Sequence, residues 1–372
     1  MSQLDILDFV ALDNDSHLLR VTNDQFLDFV ETRLAPSLTD AQNALYAKLL
    51  TGNRARYMAA DAMDFSLNEA HADRYARYRD RSATLARLCI DALLAKVGKT
   101  PPISAIVTNT TVGGTIPSLS SIVGGHVNVA RNGRLVDLGY MGCAAALLAL
   151  EIVEQQLKPG ETGIVLSVEL TSIMTNLCPT TDASLVANTV FGDGVGAFLV
   201  ARRPHAHRAM FHLKGHASDF QTDPDALAAI TYEPNAAYHE IRLQRTIADV
   251  AARGVRKVME QLVRSTIATP TQKLRFLVAK TIPEWQKCVD YAVLHTAGRR
   301  ILADLSLALD LTDQQSRHNF AAFHAYSNTS SASIYYTLTQ LRREQALKRG
   351  ETLLFLAYGS GFMTRGLYAQ AA

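Results

Sequence analysis

The sequence predicts a layered α/β fold of two similar halves with mainly parallel strands, and three observations predict it. Short apolar strand-like runs alternate with segments of helical periodicity along most of the chain. Lys158-Pro-Gly-Glu-Thr162 and Lys348-Arg-Gly-Glu-Thr352 match at four of five positions, each between an apolar helix and an apolar strand. Upstream of these, Ala105-Ile-Val-Thr108 is echoed by Ala292-Val-Leu-His295 in pattern and place. Two echoes in the same order indicate a duplicated β/α unit. With 372 residues the chain is long enough for two such units, and Arg202-Arg-Pro-His205 is a natural boundary. The halves then run 1–203 and 204–372.

Composition narrows the function. The chain is 48% hydrophobic and 19% charged, with a formal net charge of +2. That is ordinary for a globular protein and implies no nucleic-acid partner. No stretch of about 18 uncharged apolar residues occurs, so no membrane span is expected. The acidic start MSQLDILDFV lacks a signal-peptide layout. Four scattered cysteines form no metal or disulfide spacing, so no metal is expected and a cytoplasmic location is.

Residues 1–80 carry only weak helical patterns. Arg54 and Arg56 lie near a turn, readable as a solvated surface or as contacts to the phosphates of a carrier. Ser82 is a plausible N-cap for a helix to Val97, and Ile103–Asn109 reads as a strand. A glycine loop and a short helix from Pro117 follow. Val136 opens a short strand, a tight turn carries Cys143, and Ala144–Val153 is an apolar helix. Gly163–Glu169 is a buried strand, Thr171–Asp182 a polar loop and Leu185–Val190 a short helix. Phe191-Gly-Asp-Gly-Val-Gly196 lies between helix and strand, the reverse of a phosphate-binding loop, and reads as a packing turn. In the second half, residues 206–240 suggest a hairpin, 241–268 a long helix, and Asp290–His295 a strand. Gly298–Leu309 and Ser331–Ala346 read as helices, with Leu353–Tyr358 and a last segment to Tyr368 as strands.

Cys143 is the candidate nucleophile. It stands where a helix begins, and the unpaired N–H groups and positive end of that helix favour a thiolate. Read blandly, it is a packed core cysteine. Cys143, His295 and Asn328 all fall at strand-to-helix turns, where α/β folds gather their sites.

These motifs resemble those of the thiolase-like condensing enzymes over residues 85–372. The resemblance rests on Met141-Gly-Cys143, Glu169 with Thr171, Phe191-Gly-Asp-Gly194, His295-Thr-Ala-Gly-Arg-Arg-Ile-Leu302, Asn328-Thr-Ser-Ser-Ala-Ser-Ile334 and Tyr358-Gly-Ser-Gly-Phe362. Within that superfamily the chain is similar to chalcone-synthase-like type III polyketide synthases, fatty-acid-elongase ketoacyl synthases and ketoacyl synthase III. The resemblance implies a five-layer αβαβα fold, a homodimer and a Cys143–His295–Asn328 catalytic set. It also implies acyl and malonyl thioester substrates on coenzyme A or an acyl carrier protein, with no resident cofactor. Condensation would be decarboxylative, with an oxyanion held against backbone N–H groups of Cys143 and of Gly359, Ser360 and Gly361. Arg54, Arg56, Ile116, Thr171, Met174 and Phe191 are then the candidate substrate contacts. Ile116 lies on the loop that enters a partner's cavity in related enzymes, and Phe191 matches a gatekeeper aromatic. Ser327 departs from the pattern, standing where glycine usually precedes the asparagine. Two other readings stay open: acyl transfer to an alcohol or amine without decarboxylation, and a non-catalytic partner subunit.

Overall fold

The computed structural model describes residues 2–13, 17–52, 54–59, 69–97, 101–127, 129–179, 181–234, 239–267, 288–345 and 347–372. Among the described residues thirteen strands are formed: β1 (Leu4–Ala11), β2 (Leu18–Thr22), β3 (Ala55–Ala59), β4 (Ile103–Thr110), β5 (Arg134–Gly139), β6 (Thr162–Glu169), β7 (Gly194–Arg202), β8 (Phe211–Phe220), β9 (Ile230–Pro234), β10 (His239–Leu243), β11 (Tyr291–Leu294), β12 (Thr352–Gly359) and β13 (Met363–Ala371). Nine of them join in the order β11-β12-β13-β8-β1-β7-β6-β4-β5. Strands β1 and β8 pair at only Asp5–His212 and Ile6–Phe211, so the nine strands are two sheets meeting at a seam.

Strand direction follows the expectation within each half. Strands β1, β4, β5 and β6 run one way and only β7 opposes them; β8, β11 and β12 run one way and only β13 opposes them. Each reversed strand sits inside its sheet, so the hydrogen-bonded ladders are more often antiparallel than parallel. The sequence echo is structural. Gly160 and Gly350 both take positive φ, at 86° and 92°. The Lys158 and Lys348 N–H groups donate to the Glu161 and Glu351 carboxylates at 2.8 and 2.7 Å. Gly160 N–H bonds to Arg202, ending β7, as Gly350 N–H bonds to Ala371, ending β13.

Helices supply the remaining layers. Ala145–Gln156 packs on β4, β6 and β13, and Ser333–Glu344 on β11, β1 and β7, so both lie between the sheets. Ala145–Gln156 is mostly apolar, as a middle layer requires, whereas Ser333–Glu344 buries its first two turns and exposes Arg342 and Arg343 at its end. His71–Ala95 covers the outside of the first sheet, and Ile247–Leu262 the outside of the second.

Three local expectations change and one helix is added. Residues 1–80 supply β1, a central strand, because Asp5 is buried against Arg203, His205 and His212 instead of interrupting it. The helix expected from Ser82 begins at His71, with Ser82 buried inside it. A further helix, Asp313–Tyr326, for which the sequence gives no element, is closed at its start by a Thr312–Gln315 capping box. The long helix expected from Ile241 starts at Ile247, after β10. The expected ends of two helices, Ala268 and Ala346, lie outside the described residues.

Candidate active site

Cys143 follows β5 in a single 3-10 turn, Gly142–Ala144, that runs into the Ala145–Gln156 helix. Gly142 takes φ +69°, and a Cβ there would lie 2.7 Å from the Ser360 backbone nitrogen. A Cβ on Gly359 would meet the Cys143 backbone nitrogen at 2.7 Å. Glycine at both positions lets the 359–361 turn lie directly on the Cys143 backbone. This brings the Cys143 N–H and the Gly359, Ser360 and Gly361 backbone together, as an oxyanion site requires.

His295 follows β11, its backbone N–H bonded to the Leu356 carbonyl at 2.9 Å. Its Nδ1 lies 2.6 Å from Ser333 Oγ, and its ring packs edge-to-face on Tyr358. Asn328 follows the Asp313–Tyr326 helix and is held from both sides: its N–H bonds to the Val190 carbonyl, and its own carbonyl accepts from Gly192 N–H. The Asn328 Oδ1 accepts the Ser330 N–H at 2.8 Å, while Nδ2 makes only a 3.4 Å contact with the Ala297 carbonyl. The amide therefore offers its donor end. Ser327, before it, takes φ +59°, where glycine is at ease, and its hydroxyl is tied to the Ala55 carbonyl at 2.9 Å. That bond holds the turn that glycine usually makes.

All three side chains line one narrow cavity of about 30 Å³, with Thr111, Tyr232, Tyr358 and Ser360. Burial pushes the Cys143 thiol up to about 12, against the opposing Ser330 hydrogen bond and with the Glu169 charge adding to it. Burial also pulls His295 down to about 3. The sequence favours a thiolate at a helix tip; desolvation here acts the other way, favouring the neutral thiol and the neutral imidazole. A hydroxyl chain runs behind the thiol. Ser330 Oγ donates to Cys143 Sγ at 3.5 Å and lies 2.8 Å from Thr111 Oγ1, which donates to Glu169 at 2.9 Å. Glu169 is fully buried, also accepts from Ser331, and is raised to about 7 by desolvation.

Comparison with known proteins accounts for this arrangement. The family described as "FAE1/Type III polyketide synthase-like protein" matches residues 6–283, and "3-Oxoacyl-acyl-carrier-protein (ACP) synthase III C terminal" matches residues 286–370. The chain belongs to the FAE1/type III polyketide synthase-like family. It is 28% identical over 302 residues to 3-ketoacyl-CoA synthase 11 of Arabidopsis thaliana, covering 76% of this chain and 59% of the relative. The chain thus spans about three-fifths of the length of the curated relatives it matches. In fold it is similar to the C-terminal type III polyketide synthase domain of Steely1, a type I/III hybrid from Dictyostelium, with TM-score 0.81, 18% identity and 99% coverage of both chains. PKS-I from the brown alga Ectocarpus siliculosus gives TM-score 0.81 at 17% identity, covering 100% of this chain and 99% of that one. The fold is therefore the thiolase-like αβαβα fold of the type III synthases.

In this family member the remaining candidates separate. Phe191 lines the Cys143 cavity and also a second small cavity of about 20 Å³, standing between the two. Arg54 lines an open groove that meets the Cys143 cavity at Leu243, Ile247, Ala297 and Ile301. Arg56 does not reach that groove. It is 1% exposed, and its guanidinium donates to the Asn188, Thr189 and Phe191 carbonyls and to Asn23 Oδ1. It closes the end of the Asp182–Val190 helix, which corrects its assignment as a phosphate contact. Met174 is 1% exposed in the main core and does not line the cavity, a second correction: the short helix Thr171–Met174 turns it inward. Thr171 lines the second cavity, its hydroxyl directed to Asp193 and the Gly192 carbonyl. Ile116 is 90% exposed and lies outside the cavity of its own chain. Tyr232, brought in by the β9–β10 hairpin, and Ser333 had no signal in the sequence. Glu169 did carry one, as an acid ending an otherwise apolar strand.

Proposed function

We propose that this protein is a ketosynthase. It loads an acyl group onto Cys143 and condenses it with a malonyl thioester, with loss of carbon dioxide, giving a β-ketoacyl or short polyketide product. The observation that carries this reading is the meeting of Cys143, His295 and Asn328 in one buried cavity, with the Asn328 donor end left for a ligand. His295 takes the Cys143 proton as the thiolate attacks the acyl thioester, and the oxyanion rests on backbone N–H groups beside Gly359. His295 and Asn328 then hold the malonyl thioester oxygen as carbon dioxide leaves, and the resulting enolate attacks the acyl-cysteine. A neutral carboxamide suits this position, since a carboxylate would repel the enolate. The 3-ketoacyl-CoA synthase relatives support the same chemistry. No resident cofactor is called for, because the thioester itself activates both carbons.

The same reading assigns the groove bearing Arg54, Arg245, Arg299 and Arg300 to the carrier, coenzyme A or an acyl carrier protein. It takes 1–203 and 204–372 as the two halves, one bearing the nucleophile and the other His295 and Asn328. It includes a homodimer, supported by exposed Ile116 and by β5 as an edge strand. A cytoplasmic location is supported by four free cysteines. Among the described residues no helix is long and apolar enough to cross a membrane.

A panel of acyl and malonyl thioesters, with intact-mass detection of the enzyme and capture of labelled carbon dioxide, tests the proposal. An acyl adduct on Cys143 with carbon dioxide release is expected. An adduct passed to an alcohol or amine with no carbon dioxide would replace this reading with plain acyl transfer. No adduct with any thioester would leave a non-catalytic partner subunit.

A further inference from the structure

Ser333 begins the Ser333–Glu344 helix and is fully buried. Its Oγ lies 2.6 Å from His295 Nδ1, and its hydroxyl donates to the Ser330 carbonyl at 2.8 Å. A serine hydroxyl has one proton. With that proton directed to the Ser330 carbonyl, Oγ can only accept from the ring, so Nδ1 carries the hydrogen. A neutral imidazole then has none on Nε2.

We propose, on the ketosynthase reading above, that Ser333 is the positioning residue of His295: pinned to the Ser330 carbonyl, it accepts the Nδ1–H and so presents Nε2 as the free base of acyl loading. The proton accounting is specific. The Cys143 S–H bond breaks and an Nε2–H bond forms. The thiolate bonds to the acyl carbon, the thioester C–S bond breaks, and the departing carrier thiolate takes a proton from solvent. The Cys143 proton stays on Nε2, where it is the hydrogen bond donated to the malonyl oxygen. When the enolate expels the cysteine, Nε2 returns that proton to sulfur. One proton thus serves both half-reactions, provided that Nδ1 is already filled. The orienting group is neutral, so it sets the resting tautomer and adds no charge. The ring is an imidazolium only from acyl loading to cysteine release, while the malonyl carboxylate and then the enolate oppose its charge against the low basicity that burial gives His295.

The test uses the full chain labelled with ¹⁵N-histidine, His295→Gln assigning the signals in two-bond proton–nitrogen correlation spectra. The resting enzyme is expected to show Nδ1 protonated and Nε2 bare; Nε2–H in the wild type overturns the proposal. Ser333→Ala should mix the tautomers and slow single-turnover loading from an acyl-coenzyme A by roughly 10–100-fold, and Ser333→Thr should restore both. An unchanged tautomer and loading rate in Ser333→Ala also overturns it. If Ser333→Ala fails to fold, the wild-type and Ser333→Thr spectra decide alone. A wild type that loads acyl groups but releases no carbon dioxide from malonyl thioester ends the ketosynthase reading and leaves the tautomer result standing.

Discussion

Glu169 is the residue whose chemistry most affects its surroundings without a place in the reaction. Burial lifts it to about 7 from an ordinary value near 4.5. The folded state therefore holds the proton more tightly than the unfolded chain, so the contribution of Glu169 to stability falls as pH rises from about 4.5 through 7. The full shift corresponds to about 3 kcal/mol. Asp193, raised to about 6 by burial, acts in the same sense; His295 and His318, lowered by burial to about 3 and about 4, act in the opposite sense. A single pH curve would blur these, so the comparison is Glu169→Gln against wild type by urea unfolding at pH 5 and pH 8. The variant should gain on the wild type by about 2–3 kcal/mol between the two; an unchanged difference would show that Glu169 is ionised in both. At this scale Cys143, His295 and Asn328 were legible in the sequence, because each stands at a turn with a recognisable neighbourhood. Arg56, Thr171 and Met174 were not. Whether such a side chain faces a cavity or the core depends on partners outside its own element, more than 100 residues away for Arg56 at Asn188, Thr189 and Phe191, and at Gly192 and Asp193 for Thr171.

Secondary-structure elements were readable where apolar periodicity is strong, as in β4, β6, β12 and the two middle-layer helices. Periodicity failed where charge is buried in pairs, as with Asp5 in β1, and where a helix is polar, as in Asp313–Tyr326. The Asp182–Val190 helix shows how elements support the site: Arg54 and Arg56 both grip its last turn, and Phe191 follows it directly. Their roles should part on mutation. Arg56→Met leaves three carbonyls without the guanidinium and should lower stability by about 3 kcal/mol or more in urea unfolding. Arg54→Ala should cost less stability and raise KM for the acyl carrier several-fold with kcat little changed. A KM effect confined to Arg56→Met would return the phosphate contact to that residue.

At the scale of the whole molecule, the duplicated turns at Gly160 and Gly350 and the two oppositely running sheets explain how residues 143, 295 and 328 converge. Cys143 lies within 1–203 and His295 and Asn328 within 204–372, and all three line one cavity. Exposed Ile116 predicts assembly: light scattering at micromolar concentration should give twice 40.6 kDa. Ile116→Asp should shift that mass toward the monomer, whereas a monomeric wild type would end the dimer reading. The most direct test of the central claim separates holding the acyl group from making the enolate. Acyl-enzyme mass and labelled carbon dioxide release are measured together on Cys143→Ala and Asn328→Ala. Cys143→Ala should lose condensation yet still release carbon dioxide. Asn328→Ala should accept the acyl group on Cys143 but decarboxylate roughly 10²–10³-fold more slowly, about 3–4 kcal/mol. An Asn328→Ala enzyme that decarboxylates malonyl thioester at the wild-type rate would contradict the account.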